Sequence, residues 1–286
     1  MPATTSLEAF WAAWPLFEDS VLTGVCAGVL LGVLGVYIVL GRMVFLTAAL
    51  SQVAGFGVTL AFAAQIYLGA GALLASPSLG ASVLSLACLF LIWNNQERER
   101  ARRDSMLGLI FLVGSAGTLM VGSKIVQELH DVQTLLFGSS VAVLPEDFRL
   151  VVVFGICVLG LHLWWWRGFV EVTYDQDTAM VRLMPVNVLK LVLMVTIALS
   201  VSLCTRVLGA LPAFAFSVFP AMGAVLLASN IPRAMGMAAA IGGACGFLGY
   251  LFAFVYDFPV GPSQAMVGAV LWAGTAIVSK IVAQLR

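Results

Sequence analysis

Residues 42–52, RMVFLTAALSQ, place Thr47, Ser51 and Gln52 inside one apolar run behind a basic edge. Hydroxyls and an amide can hydrogen-bond a solute or touch a cation weakly, but they carry no charge. This pattern suits a helix lining a transport pathway from which the charged groups have been removed. Two further side chains offer chemistry. Met222, just after Pro220, has a thioether, and His130 stands in a polar connection. Core packing is the ordinary role for the first and a plain loop position for the second. The five cysteines (Cys26, Cys88, Cys157, Cys204, Cys245) stand singly in apolar runs, with no CxxC and no Cys/His cluster. Neither a disulfide framework nor a structural zinc site is indicated, and the metal ligands, if any, stay unknown.

The elements that position these residues follow from composition. The 286-residue chain is 62% hydrophobic and 10% charged, against about a quarter charged in soluble domains. An all-α polytopic membrane protein fits. The net charge is zero, so no basic footprint for nucleic acid exists. Nine apolar runs reach the length of a span: about 20–41, 44–69, 75–93, 105–122, 149–166, 188–205, 208–229, 234–255 and 263–283. About nine transmembrane helices are expected, or eight if the first is lost, in a single domain over 1–286. Residues 1–19 read as an interfacial lead-in, aromatic and acidic and without the basic start of a signal peptide.

Placing ERERARR in the cytoplasm puts eleven of the fourteen Lys and Arg inside, leaving Lys124, Arg149 and Arg206 outside. The positive-inside rule then predicts an extracytoplasmic N-terminus and a cytoplasmic C-terminus. Two connections are long enough to act. Residues 123–148 form an external loop. Residues 167–187 face the cytoplasm and carry Val172, Ala179 and Leu183 at helical spacing, as a short docking helix does. Glycine-rich stretches such as GVCAGVLLGVLG and AAAIGGACGFLGY supply small faces for close helix packing, within the subunit or across a dimer. Pro212 and Pro220 predict bends in the 208–229 run.

None of the fourteen acids falls inside an expected span. Ion-coupled carriers usually keep a titratable group deep in the membrane. No GxxxxGK[ST] phosphate loop occurs either, so the chain is not expected to hydrolyse ATP. A permease driven by a separate ATPase fits both absences.

Five stretches resemble the permease subunit of the ABC transporter family for zinc, manganese or iron uptake. They are GVYIVLGRMVFLTAALSQ, LLFGSSVAV, TYDQDTAMVRLMPV, VLGALPAFAFSVFPAMGAVLLA and YDFPVGPSQAMV. The resemblance runs from about residue 20 to the C-terminus. It implies a multi-pass protein of the bacterial inner membrane, paired with a second permease copy or paralogue, with ABC ATPase subunits and with an extracytoplasmic solute-binding protein. ATP would sit on the partner ATPase, with no cofactor in this chain. Asp175, Asp177, Ala179 and Pro185 match the family's ATPase-docking pattern, whose glycine is Leu183 here. His130 and Asp257 would face the binding protein.

Metal-importing members carry an Asp and, four residues on, a His on the second helix. The matching positions are Ala48 and Gln52, and the proline of that helix is Phe56. Three explanations stay open. The chain is half of a heterodimer whose partner keeps the ligands. It passes a chelate or another small solute by hydrogen bonds from Thr47, Ser51 and Gln52. Or it passes a bare divalent metal by contacts elsewhere, with Met222 and His130 as candidates.

Overall fold

The computed structural model describes residues 3–68, 76–94, 100–125 and 143–284. Among the described residues the regular structure is helix alone: α1 (Ala3–Ala12), α2 (Trp14–Leu40), α3 (Val44–Leu68), α4 (Pro77–Trp93), α5 (Arg100–Gly122), α6 (Pro145–Trp164), α7 (Trp166–Tyr174), α8 (Gln176–Val181), α9 (Val186–Leu208), α10 (Ala210–Leu227), α11 (Ile231–Tyr256) and α12 (Val260–Gln284). A helix is the natural answer to an apolar solvent, because it satisfies its backbone hydrogen bonds internally. Every expected span coincides with one helix. Eight are long and apolar enough to cross a membrane, and α4, with 17 residues, is shorter than all of them. At 1.5 Å per residue α4 is about 26 Å long, near the lower limit for a span.

The spans form two groups around α10. α2 packs on α11, α10 and α6, while α3 packs on α4, α5 and α9. α10 touches α2, α3, α11 and α12. α12, α5 and α6 expose most of their length, and their outward residues are apolar (Leu109, Val153, Ile156, Val270, Ile277). That is the surface expected against lipid tails.

Small residues set the closest helix crossing. Gly24, Gly28 and Gly32 of α2 face Gly246, Gly242 and Ala238 of α11. A Cβ on Gly28 would lie 2.1 Å from the Gly242 carbonyl oxygen, and one on Gly242 would lie 2.0 Å from that of Gly28. Backbones meet there, as in other membrane helix pairs that use glycine at four-residue spacing. Gly57 and Gly80 do the same between α3 and α4. The glycine stretches therefore pack within the subunit.

Residues 3–19, the expected interfacial lead-in, are helical apart from the turn at Ala13. α2 begins at Trp14, and Phe10 and Phe17 are buried against Tyr250 and Phe254 of α11. The two prolines differ. Pro212 sits in the first turn of α10, where the freed carbonyl lies outside the helix, while Pro220 lies in its interior. α9 and α10 are separated by Gly209, whose φ of 104° favours glycine.

Charges keep to the helix ends. Glu146 and Asp147 occupy the first turn of α6, beside the positive end of its dipole. Arg206, in the last turn of α9, lies 2.9 Å from Asp147 and donates to Ser78 Oγ of α4. One guanidinium thus ties three spans at one end. The pair is about one-fifth exposed, between a solvated and a buried ion pair in worth. Arg206→Ala is expected to cost about 1–2 kcal/mol of stability, measured as a lower unfolding midpoint in detergent. Arg206→Lys should recover only part, because a point charge cannot reach both partners as the planar fork does.

Candidate functional site

α3 is unbroken from Val44 to Leu68. Phe56 takes the proline's place without disturbing the helix, and its ring lies over Gly117 of α5, where a Cβ would stand 2.7 Å from it. Thr47 and Ser51, one turn apart, are fully buried on the same face. The protons of both hydroxyls go to their own helix: Thr47 donates to Val44 O at 2.8 Å and Ser51 to Ala48 O at 2.9 Å. Ser217 of α10 donates to Phe214 O at 2.7 Å and approaches Thr47 Oγ1 at 3.4 Å. The Ser217 hydroxyl thus has two acceptors within reach, and the α3–α10 crossing gathers three hydroxyls that each reach a carbonyl of their own helix.

Ala48 is buried and Gln52 half-buried. Gln52 backs onto α5, where Gly114 lets the helices approach: a Cβ there would lie 2.8 Å from the Gln52 carbonyl carbon. The Gln52 side-chain oxygen Oε1 is buried and has no hydrogen-bond partner among the described residues. Leaving a carbonyl so placed costs about 1–3 kcal/mol. A cation or a donor solute would satisfy it. Met222 is half-buried on α10. It is five residues beyond Ser217, roughly 140° around the helix, so the structure does not group it with Thr47 and Ser51. His130 and residues 135–142 of the LLFGSSVAV stretch lie outside the described residues. Among the described residues no group of three or more His, Cys, Asp or Glu side chains could hold a metal ion.

Asp257 closes α11. It is exposed, with a φ of 56°, and the following Phe258 N–H donates to Ala253 O at 3.0 Å. Aspartate tolerates this left-handed conformation better than most residues.

Residues 167–187, expected to dock the ATPase, include a hairpin of two helices, α7 and α8, broken at Asp175. Asp175 takes an extended conformation and caps α8, accepting from the Thr178 hydroxyl and from its N–H at 3.0 Å. These bonds, hydroxyl first, hold its carboxyl below the usual 3.8. The cap is therefore present above the ordinary carboxylate range and is lost as pH falls through the lower folded value. Asp175→Ala should fray α8, seen as faster amide exchange at Thr178, while Asp175→Asn should preserve most protection.

Asp177 lies exposed in the first turn of α8. Ala179 points the other way: with Val172 of α7 it is buried in the main core and seats the hairpin on the spans. Pro185 starts α9 as its N-cap residue. Arg182 bridges back to Glu171 at 2.6 Å. α8 ends with Leu183 N–H donating to Met180 O at 3.0 Å and Met184 N–H to Ala179 O at 3.2 Å. This is the Schellman pattern usually completed by glycine. Here Leu183 completes it at φ 55°, at a cost of about 1–2 kcal/mol for a residue with a Cβ.

Under the hairpin sits a cluster that sequence reasoning missed. His162 of α6 is buried, with Nδ1 2.9 Å from Val158 O and its ring stacked on Phe169 of α7 at 4.7 Å. Tyr37 of α2 lies 5.4 Å from the same imidazole. His162 and Phe169 are seven residues apart, but the helix breaks between them at Trp165, so helical spacing does not report how they meet.

This architecture is that of an all-α polytopic membrane protein. Residues 14–279 match the ABC 3 transport family, and the chain belongs to that family. It is a multi-pass membrane protein, of the inner membrane in bacteria. It is 24% identical over 261 residues to the manganese transport system membrane protein MntC of Halalkalibacterium halodurans, covering 91% of this chain and 86% of that one. Among solved structures it resembles PsaBC from Streptococcus pneumoniae, with a TM-score of 0.81 and 22% identity over 94% of this chain and 95% of that one. It also resembles an inward-facing, putative metal-chelate type ABC transporter, with a TM-score of 0.74 and 15% identity over 93% and 88%.

Proposed function

We propose that this chain is the translocation subunit of an ATP-driven importer for a divalent transition metal, with manganese favoured over zinc. The family match over residues 14–279 carries the permease reading, and the relative named for manganese transport supports the metal. The preference follows from the donors. Imidazole suits zinc, whereas carbonyl, carboxylate and water oxygens suit manganese. At the position of the family's histidine this chain has Gln52, whose buried carbonyl has no partner among the described residues. Zinc and iron stay within the proposed class but fit these oxygens less well.

Two permeases form the pathway between them, an ATPase pair docks on residues 167–187, and an extracytoplasmic binding protein delivers the metal near Asp257 and the 123–148 loop. ATP is hydrolysed on the ATPase, so this chain's residues form a path and gates. ATP closes the ATPase pair and moves the docking hairpins together. A cavity of about 220 Å³ lined by Gly41, Met43, Thr173, Gln176 and Lys190 lies beside the hairpin's seat and leaves room for this motion. The pathway then alternates its opening between the two sides.

Ala48 and Gln52 favour a second reading, in which the chain is the ligand-poor half of a heterodimer. Reconstitution of this permease as the sole membrane subunit, with its ATPase and a manganese-loaded binding protein, separates the two. Stimulated ATP hydrolysis supports the proposal. Stimulation only after a second, ligand-bearing permease is added supports the heterodimer.

A further inference from the structure

Leu183 holds a backbone conformation that a leucine avoids and shows its side chain almost wholly to the outside. Its φ is 55° and its exposure 92%. Packing within the chain therefore does little to offset the strain. Among the described residues two other non-glycine residues share the left-handed geometry, each just past a helix end: Arg42 and Asp257. Both are polar, and aspartate is at home there. Leu183 is the apolar one, at the position where glycine would close the same two hydrogen bonds without strain.

The surroundings give the leucine a direction. Ala179 and Val172 are buried beneath the hairpin, whereas Tyr174, Val181 and Leu183 are exposed, Val181 at 83%. The Schellman bonds and the Asp175 cap fix both ends of α8, so the apolar tip is held in a set place. Residues 171–184 carry three acids, Glu171, Asp175 and Asp177, against one base, Arg182, which is already bridged to Glu171. An anionic leaflet repels such a tip. A protein pocket that is apolar at its floor and basic at its rim matches it.

We propose that Leu183 is an apolar knob that seats in a pocket of the ATPase subunit and matches this permease to its own ATPase. This rests on the reading of residues 167–187 as the docking segment. The strained residue is kept because the knob contributes more to the assembled transporter than glycine would to the free permease.

The test uses opposite signs. The full-length permease is placed in nanodiscs containing anionic lipid and, separately, in detergent micelles. Its unfolding midpoint and its affinity for the purified cognate ATPase are measured for wild type, Leu183→Gly and Leu183→Asn. Both substitutions relieve the backbone and should raise the midpoint by about 2–4 °C. Both should weaken ATPase binding about tenfold in either medium. Higher midpoints with unchanged or tighter binding overturn the knob. Weakening confined to nanodiscs also overturns it, by assigning Leu183 to lipid. A wild-type permease that fails to bind the ATPase defeats the docking reading itself, whereas wild-type binding matched by both variants defeats only the role of Leu183.

Discussion

Gly28→Leu is expected to prevent the membrane domain from folding. Any Cβ at Gly28 would stand 2.1 Å from a backbone oxygen of Gly242, and backbone cannot rotate aside as a side chain can. α2 and α11 would have to separate along their whole crossing. Gly24 and Gly32 would lose their contacts with Gly246 and Ala238, and the buried face of α2 would lose its fit. Overpacking one methylene costs about 1–3 kcal/mol in a core that can adjust. Here a side chain enters where not even a methyl fits, and the expected loss is at least about 3 kcal/mol. The measurement is the yield of monodisperse protein and its unfolding midpoint. Gly160→Ala and Gly236→Ala are the controls. A Cβ at either meets nothing within 4 Å, and alanine favours helix over glycine by about 1 kcal/mol, so both should fold at least as well as wild type.

The second large effect concerns Gln52 and separates transport from stability. Gln52→Leu keeps the approximate volume and removes a buried carbonyl that has no partner among the described residues. Replacing such a group with an apolar one is neutral or stabilising, so the unfolding midpoint should hold or rise. If Gln52 offers its oxygen to the passing metal, manganese transport should fall about tenfold, the equivalent of one lost contact of about 1.4 kcal/mol. A neutral stability change with unimpaired transport would remove Gln52 from the pathway. The substitutions Ala48→Asp and Gln52→His together restore the carboxylate–imidazole pair on one helix face and should shift preference towards zinc.

The spans were legible because hydropathy alone reports burial in lipid, and each expected run became one helix. The resemblance to a metal-uptake permease was legible too, and the match over residues 14–279 agrees with it at the level of the family. Other features were hidden for identifiable reasons. Small faces announce close packing but not the partner, so the sequence left open whether the glycines of α2 meet α11 or another subunit. Apolar spacing in residues 167–187 suggested one docking helix. The chain instead breaks at Asp175, whose side chain competes for the helix's own N–H groups. Gly41 looks like the residue for a left-handed helix end. Yet Arg42 takes that conformation at φ 53°, and Gly41 serves close approach, since its Cβ would stand 3.1 Å from Thr173 of α7. At the candidate site, Thr47 and Ser51 were visible as polar residues. That their protons are spent on their own helix depends on rotamers, which periodicity does not report.

The most direct test of the account is ATP-driven uptake of radioactive manganese into proteoliposomes. They would contain this permease as the sole membrane subunit, with its ATPase and its loaded binding protein. The account predicts ATP-dependent accumulation of manganese, stronger than that of zinc, and abolished by omitting either partner. ATP hydrolysis stimulated by another loaded binding protein, with no manganese, zinc or iron accumulating, would contradict the metal assignment and direct the search to a chelate or an organic solute.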